Sequence, residues 1–480
     1  MSCIFSCKKI PLPHKLIKFG KVFTDAGFEA YLVGGAVRDY FMKKDAHDWD
    51  VATNATPEQV MKLFKFVVPT GIAHGTVTVH FEKTEIEVTT FRTESDYSDG
   101  RHPDKVVYAA TIQEDLSRRD FTMNAIAVNL ANGKIVDPFE GQKDIKKKLI
   151  KTVGNPHKRF MEDGLRPIRA LRFASKLNFS IEKYTYLEIF KDDIKNKIKS
   201  ISIERFRDEF EKVLCSPKPS VGLKLMEETG VLSMFIPEFD CCRNCVQSDY
   251  RAFHKFDVLD HLFYSCDGAP KEKLNIRLAA LFHDIGKPAA KKMVIEEVLD
   301  GEKKDGSTKQ VETVTFHCHE SYSEKITREI LIRLKFSNEM INNVCHLVKE
   351  HMFHYESSWT DAAVRRFIVR VGKDCIDDLY DVRLSDMYGM WNEPVDIRYS
   401  ESVKLLIELK DRIAAQLEKQ NALSLKDLAV NGKDLMAEGI PAGKQLGLIL
   451  NHLLDCVLED PALNNRQDLL NIAKRSGCRI

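Results

Sequence analysis

At 480 residues the chain is too long for one ordinary core and falls in the range of three or four domains. Hydrophobic residues make up 44% and charged residues 30%, as in a soluble globular protein, and a formal net charge of +1 excludes a globally basic nucleic-acid binder, so any RNA-binding surface must be local. Twelve cysteines are scattered and Cys242-x-x-Cys245 lacks a second matching pair, which predicts free thiols in a reducing, cytoplasmic compartment instead of disulfides or zinc. No apolar run approaches membrane-spanning length, and MSCIFSCKKIPLPHK has too short an apolar core for a secretory signal.

In chain order, Leu12, Leu16, Phe19, Val22 and Phe23 predict a first amphipathic helix that stops near Gly27. Tyr31, Leu32 and Val33 read as a strand ending at Gly34-Gly35, where missing side chains let backbone N–H groups approach an anion such as a triphosphate. Ala36 to Met42 then reads as a helix whose N-terminus faces the same anion, with Arg38 adding a fork of donors. Asp48 and Asp50 flank Trp49, and on a strand residues two apart share a face, so both carboxylates can meet one Mg2+. The joint spacing GG-x-x-R-D followed by D-x-D resembles the signature of the polymerase-beta-type nucleotidyltransferases.

Thr56-Pro57-Glu58-Gln59 predicts a capped helix start. TVTVHF (76–81) and EIEVTTF (85–91) alternate and are rich in β-branched residues, which predicts paired strands beside the aspartates, with Glu87 as a third carboxylate of the site or an exposed strand glutamate. The polar run 92–104 predicts a loop. In DLSRRDFTMNAIAV (115–128), Arg118, Arg119, Asp120 and Asn124 form a polar face. Arg119 suits phosphate or ribose oxygens and Asp120 a ribose hydroxyl, although this stretch taken alone reads better as a surface ion-pair cluster. Lys146, Lys147, Lys148, Lys151, Lys158 and Arg159 form a basic run that is either an RNA-backbone patch or a solvated helix face. In FMEDGLRPIRALRF (160–173), Asp163, Arg166, Arg169 and Arg172 recur every three residues, as on one side of a helix, with Pro167 marking a bend or a new start. An Asp and an Arg one turn apart can present acceptors and donors to a base edge, or form an ordinary exposed ion pair.

Taken together, LVGGAVRD…DWD, EVTTF, RRDFTMNA, EDGLRPIRALRF and SIERFRDEF (202–210), with LAVNGKDLM (428–436) and IPAGKQLG (440–447), resemble the ordered motifs of the class II CCA-adding enzymes. That resemblance implies a tRNA nucleotidyltransferase adding C, C and A from CTP and ATP without a nucleic-acid template. Asp48 and Asp50 would bind Mg2+, Gly35 and Arg38 approach the triphosphate, Arg119 contact the nucleotide, Asp163 and Arg166 read the base, and Arg169 and Arg172 line its pocket. Related bacterial poly(A) polymerases carry a basic stretch where this chain has PTGIAHGTVTV (69–79), and CC-only enzymes have a shortened 92–104 loop, so full CCA addition is the preferred reading, with an A-adding enzyme as its alternative.

Residues 250 to 390 hold His261, His283-Asp284, His319, His351 and Asp386, a set suited to a mono- or dinuclear centre that activates water. LAALFHDIGKP, FHCHESYSEK, LVKEHMF and RLSDMYG resemble the motifs of the HD phosphohydrolase superfamily, with Cys318 where a glycine usually precedes the third histidine and with His317 and His346 as competing registers. The resemblance implies a second divalent metal (Mn2+, Ni2+ or Fe2+) and a second, phosphohydrolase activity. In the opposing reading the HD centre is the working site and the head a nucleotide sensor. The lysine- and glutamate-rich 291–310 predicts a loop or hairpin insert. The expected fold is α+β: a nucleotidyltransferase head with a small mixed sheet (1–140), then an all-helical neck (141–240), HD domain (241–400) and body/tail (401–480). tRNA, CTP and ATP are its expected partners, with no membrane; the sequence leaves the oligomeric state open.

Overall fold

Three apolar residues on one helical face organise the start of the chain. In α1 (His14–Asp25), Leu16, Phe19 and Phe23 are buried, and Phe19 stacks on Phe64 with centroids 4.8 Å apart and meets Phe81 edge-on at 5.3 Å. The helix starts after the predicted Leu12, because a residue preceding a proline, here Pro13, is held out of the helical region. The structure, a computed structural model, describes residues 10–45, 48–72, 75–95, 105–247, 255–299, 308–394, 400–419 and 423–477. The chain divides into two compact units, residues 1–237 and 238–480.

In the first unit β1 (Ala30–Val33) runs into α2 (Gly35–Phe41), followed by β2 (Trp49–Thr53), α3 (Pro57–Leu63), β3 (Val67–Gly71), β4 (Thr76–Phe81) and β5 (Thr84–Thr90). Thr56 and Gln59 form the expected capping box on α3. With β6 (Arg92–Ser95), β7 (Lys105–Tyr108), α4 (Ile112–Ser117), β8 (Ala127–Asn129) and β9 (Ile135–Val136), the head builds a seven-stranded sheet in the order β3-β4-β5-β2-β1-β8-β9. β2 pairs with β5 in parallel and its other neighbour β1 runs antiparallel, so the sheet is mixed. This register sets Asp50 beside Glu87 on one side and Val33 on the other. The loop expected over 92–104 needs correcting at its start, since Arg92–Ser95 pairs antiparallel with Lys105–Tyr108; a two-stranded ribbon gains its hydrogen bonds without the apolar alternation that marks a core strand. Residues 96–104 of that expected loop lie outside the described residues.

α5 (Gly141–Lys146), β10 (Leu149–Ile150), α6 (Pro156–Glu162), α7 (Leu165–Leu177), β11 (Ser180–Ile181), α8 (Lys183–Glu188), α9 (Asp192–Lys199), α10 (Ile203–Leu214), α11 (Pro219–Glu228) and α12 (Val231–Phe235) complete the unit. The helix expected to carry Asp163, Arg166, Arg169 and Arg172 begins only at Leu165, so the three arginines lie on α7 while Asp163 falls in the break after α6. Asp163 is extended (φ −146°, ψ 114°), and Gly164 packs so closely that a Cβ there would lie 2.3 Å from the Lys197 carbonyl oxygen. Pro167 is the third residue of α7, in the first turn, where its missing N–H costs nothing.

The second unit is mainly helical: α13 (Val258–Gly268), α14 (Leu274–Phe282), α15 (Lys287–Ala290), then an antiparallel hairpin of β12 (Lys292–Leu299) and β13 (Thr308–Thr315), where an insert was expected. α16 (His319–Arg333), α17 (Asn338–Glu350), α18 (Asp361–Val371), α19 (Ile376–Trp391) and α20 (Glu401–Glu418) follow, and α21 (Gly432–Ala437), α22 (Lys444–Glu459) and α23 (Arg466–Gly477) close on a core around Leu435, Ile449, Leu453 and Leu469. The hairpin and the short parallel β10–β11 pair are the additions to the all-helical remainder expected after residue 140. Among the described residues no helix is long and apolar enough to cross a membrane.

Candidate functional sites

The first site forms where β1 ends beside β2. Gly34 adopts φ 71° and ψ −134°, a conformation left almost entirely to glycine, and a Cβ there would stand 3.2 Å from Asp50 Oδ2 and 3.5 Å from an Arg119 guanidinium nitrogen. At Gly35, which opens α2, a Cβ would meet just the end of Arg38 at 3.6 Å. Asp50 as a residue is exposed, but partial desolvation of its carboxyl, together with the charges of Glu87 and Asp48, pushes it up to about 6 against the pull of Arg119. Asp48 precedes β2 in a bend and is exposed. An all-oxygen donor set whose members repel one another fits a hard divalent cation.

Arg119 is held from behind. Buried Asp115 accepts from Arg119 at 3.1 Å and from Arg118 at 3.0 and 2.8 Å; burial alone would raise its carboxyl, but the two guanidiniums outweigh burial and lower it. Arg119 Nε is buried without a hydrogen-bond partner among the described residues. Arg38 is also buried, donating to Asp39 at 2.8 Å and to Asn124 Oδ1 at 3.0 Å. Asn124 in turn donates to Asp120 at 3.1 Å, and the other oxygen of Asp120 takes Arg169 at 2.9 and 2.7 Å. Burial opposes this charge, yet Arg169 and Asn124 hold Asp120 at about 2. Arg172 donates to buried Glu209 at 2.5 Å and lies 4.0 Å from the centre of the Phe173 ring.

The Arg166 N–H donates to the Asp163 carbonyl at 3.1 Å, while their side chains engage other groups. Asp163 accepts from Arg205 at 3.0 and 2.8 Å and caps Leu165 N–H, whereas Arg166 donates to Glu162, to the Arg159 carbonyl and to the Arg118 carbonyl. Of the basic run, Arg159 is engaged with Glu162 and with the Val153 and Ser117 carbonyls, while Lys146, Lys147, Lys148, Lys151 and Lys158 are exposed.

The second site lies in the other unit, where the structure brings His261, His283, Asp284, His319, His351 and Asp386 together, five of them from the helices or helix ends of α13, α14, α16, α17 and α19. The Nε2 atoms of His261 and His283 are 3.1 Å apart, and those of His319 and His351 3.3 Å. Asp284 stands between the pairs: Oδ2 lies 3.4 and 3.2 Å from His261 and His283, and Oδ1 2.9 and 3.6 Å from His319 and His351. Asp386 Oδ1 approaches His261 at 3.2 Å and His283 at 3.5 Å. His283, His319 and His351 each place Nδ1 2.6 to 2.8 Å from the carbonyl three residues earlier, which leaves Nε2 as the ligating nitrogen. Burial opposes charge here, but the carboxylate–imidazole attractions hold Asp284 and Asp386 well below the usual carboxylate range. Two overlapping groups, His261–His283–Asp386 and His283–Asp284–His351, have the compactness of metal sites. A cavity of about 470 Å³ opens over them. The register question resolves by position: His317 is exposed in the cavity wall, and His346 Nε2 donates to the Val371 carbonyl oxygen at 2.7 Å, outside the cluster.

Sequence reasoning passed over the residues that orient these groups. Asp115 sits three and four positions before the two arginines, a spacing that could have identified it. Arg205 and Glu209 lie within the quoted SIERFRDEF segment without a role, and Lys287, 2.6 Å from Asp284, within LAALFHDIGKP.

The Poly A polymerase head domain model matches residues 30–151, a model described as "Probable RNA and SrmB- binding site of polymerase A" matches 178–242, and a model of tRNA nucleotidyltransferase domain 2 matches 307–473. The CCA-adding enzyme of Enterococcus faecalis is 33% identical over 94% of this chain and 92% of its own length; that of Lactobacillus gasseri is 45% identical over 93% of each. The crystal structure of the Bacillus stearothermophilus CCA-adding enzyme in complex with CTP superposes with a TM-score of 0.70 at 26% identity, covering 97% of this chain and 98% of that one. Glycine turn, carboxylate strand and helical arginines thus occur in a chain whose similarity to these proteins runs nearly end to end, and the chain belongs to the family of the CCA-adding enzymes.

Proposed function

We propose that this chain is a tRNA nucleotidyltransferase that adds C, C and A to the 3′ end of tRNA from CTP and ATP, without a nucleic-acid template. The observation that carries the proposal is the placement of Gly34, Asp50, Glu87 and Arg119 around one point of the sheet in a chain so similar to CCA-adding enzymes. Asp48 and Asp50, with Glu87 beside them, would hold a divalent cation, Mg2+ by their hard oxygen donors, which when bound assists deprotonation of the attacking hydroxyl and neutralises phosphate charge. The Gly34–Gly35 turn leaves room for the triphosphate against the backbone, Arg119 offers its inward donors to it, and Arg38 and Asn124 brace that wall. The tRNA 3′-oxygen attacks the α-phosphorus in line, a P–O bond forms, the bond to the β-phosphate oxygen breaks, and pyrophosphate leaves. Asp163 and Arg166, oriented by Arg205 and Glu162, present acceptors and donors to the base edge, with Arg169 and Arg172 lining the pocket. Asp120 acts here by holding Arg169.

We assign residues 1–140 to the head, 141–240 to the neck, 241–400 to an HD-type domain and 401–480 to the body and tail, in a cytoplasmic protein. The cluster of four histidines and two aspartates supports a second reading for the second unit: a centre for one or two divalent metals that hydrolyses phosphate esters. Purified protein given tRNAs ending before C74, C75 and A76, with CTP and ATP separately, should extend each by the matching nucleotide, and Asp48→Ala with Asp50→Ala should abolish all three additions. Persistent incorporation in that variant sinks the transferase assignment and favours the nucleotide-sensor reading. AMP addition confined to the last substrate converts the assignment to an A-adding enzyme.

A further inference from the structure

The C-terminal end of α2 and the α5 turn enclose a groove of about 700 Å³ in the first unit that neither the carboxylates nor the arginine network uses. Its floor is apolar, from Phe41, Ile145 and Phe179, and Lys143, Lys146 and Lys148 stand exposed around it beside Tyr40, which is 42% exposed. Of the two acids of residues 140–151, Asp144 is buried and accepts from Thr122 Oγ1, and Glu140 pairs on the surface with Lys143, which leaves the charges of Lys146 and Lys148 uncompensated by this segment. α2 joins this groove to the catalytic turn. It begins at Gly35, and its seven residues rise by about 10 Å to Phe41.

Resting on the assignment of tRNA as substrate, we infer that this groove binds the sugar–phosphate backbone of the tRNA a few nucleotides upstream of its 3′ end. Lys143, Lys146 and Lys148 contact phosphates, and Tyr40 lies against a base or ribose face. Charge complementarity selects this occupant, because a polyanion whose 3′ end reaches Asp50 passes within about a helix length of the lysines, and an exposed aromatic beside them supplies a stacking surface. The RNA-binding family model, over residues 178–242, includes Phe179 of the groove floor but none of Tyr40, Lys143, Lys146 or Lys148.

The test compares wild type with a Lys143→Gln, Lys146→Gln, Lys148→Gln triple variant, with Tyr40→Ala, and with a control carrying Lys21→Gln and Lys62→Gln, exposed lysines elsewhere on this unit. CMP incorporation into tRNA ending before C74 is measured over a range of KCl, alongside filter binding of the same tRNA. The triple variant should raise the tRNA KM and Kd at least about tenfold, with kcat and the CTP KM within about twofold. It should also flatten the dependence of log Kd on log salt by about 2, since each phosphate contact contributes about 0.7–0.9. Tyr40→Ala should weaken tRNA about tenfold at every salt concentration, with little change in slope. An unchanged tRNA Kd and slope in the triple variant, an equal loss in the control, or a loss confined to kcat overturns the inference. Wild type that binds tRNA but adds no nucleotide would fail the functional assignment instead, and filter binding would still judge the groove.

Discussion

Gly34→Ala and Gly35→Ala are adjacent one-methyl changes with opposite expected outcomes. At Gly34 the methyl group must occupy a backbone conformation (φ 71°, ψ −134°) that costs a non-glycine residue about 1–3 kcal/mol. For a unit of this size that corresponds to a fall of roughly 2–12 °C in the melting temperature. The same methyl would lie 3.2 Å from Asp50 Oδ2, so the carboxylate must retreat by a few tenths of an ångström. Misplacing a reacting group by 1 Å can cost about a hundredfold in rate, so a loss of kcat of about tenfold or more is expected. At Gly35 the methyl meets Arg38 at an ordinary 3.6 Å and gains helix propensity of up to about 1 kcal/mol, so stability and kcat should hold and any penalty should appear in the CTP KM. Calorimetric melting and CMP incorporation with varied CTP read both variants. A Gly34→Ala protein with wild-type kcat, or a Gly35→Ala protein that loses more stability than Gly34→Ala, refutes the reasoning.

Asp120→Asn should destabilise the first unit by roughly 2–3 kcal/mol at pH 7, because the folded carboxyl titrates at about 2 and an unfolded one near 3.9. With the folded value the lower, this stabilisation is complete above the unfolded pKa and disappears as pH falls through about 2. Urea unfolding should therefore show wild type and variant converging between pH 4 and pH 2, and a gap independent of pH would contradict the ion-pair account. Asp284→Asn, which alters the carboxylate standing between the two histidine pairs, should sharply lower metal content by plasma emission spectrometry while leaving CMP addition intact; wild-type protein that retains no divalent metal after supplementation would count against the centre. Cys318 occupies a left-handed conformation (φ 60°) just before His319, so Cys318→Gly should raise stability by about 0.5–1 kcal/mol with metal content unchanged, and a lower melting temperature would show that the thiol itself is needed there.

Local pattern made much of the molecule legible. Alternation marked 76–81 and 85–91 as strands, Thr56 and Gln59 announced a capped helix, and the spacing of Gly34-Gly35, Asp48 and Asp50 pointed to a strand-edge phosphate site, since each signal involves neighbours a few residues apart. The six histidine and aspartate positions of the second unit were likewise visible in the sequence, although it left His317 and His346 as rivals. Partnerships across long separations were decided by tertiary structure alone. Asp163 finds Arg205, 42 positions on, and Arg169 reaches back 49 positions to Asp120. The break at Asp163–Gly164 follows from contact with the Lys197 carbonyl on a later helix, which helical periodicity does not register. The glycine pair shows the division most closely: composition makes Gly34 and Gly35 equivalent, and only the pairing of β1 with β2 sets one against Asp50 and the other at the head of a helix.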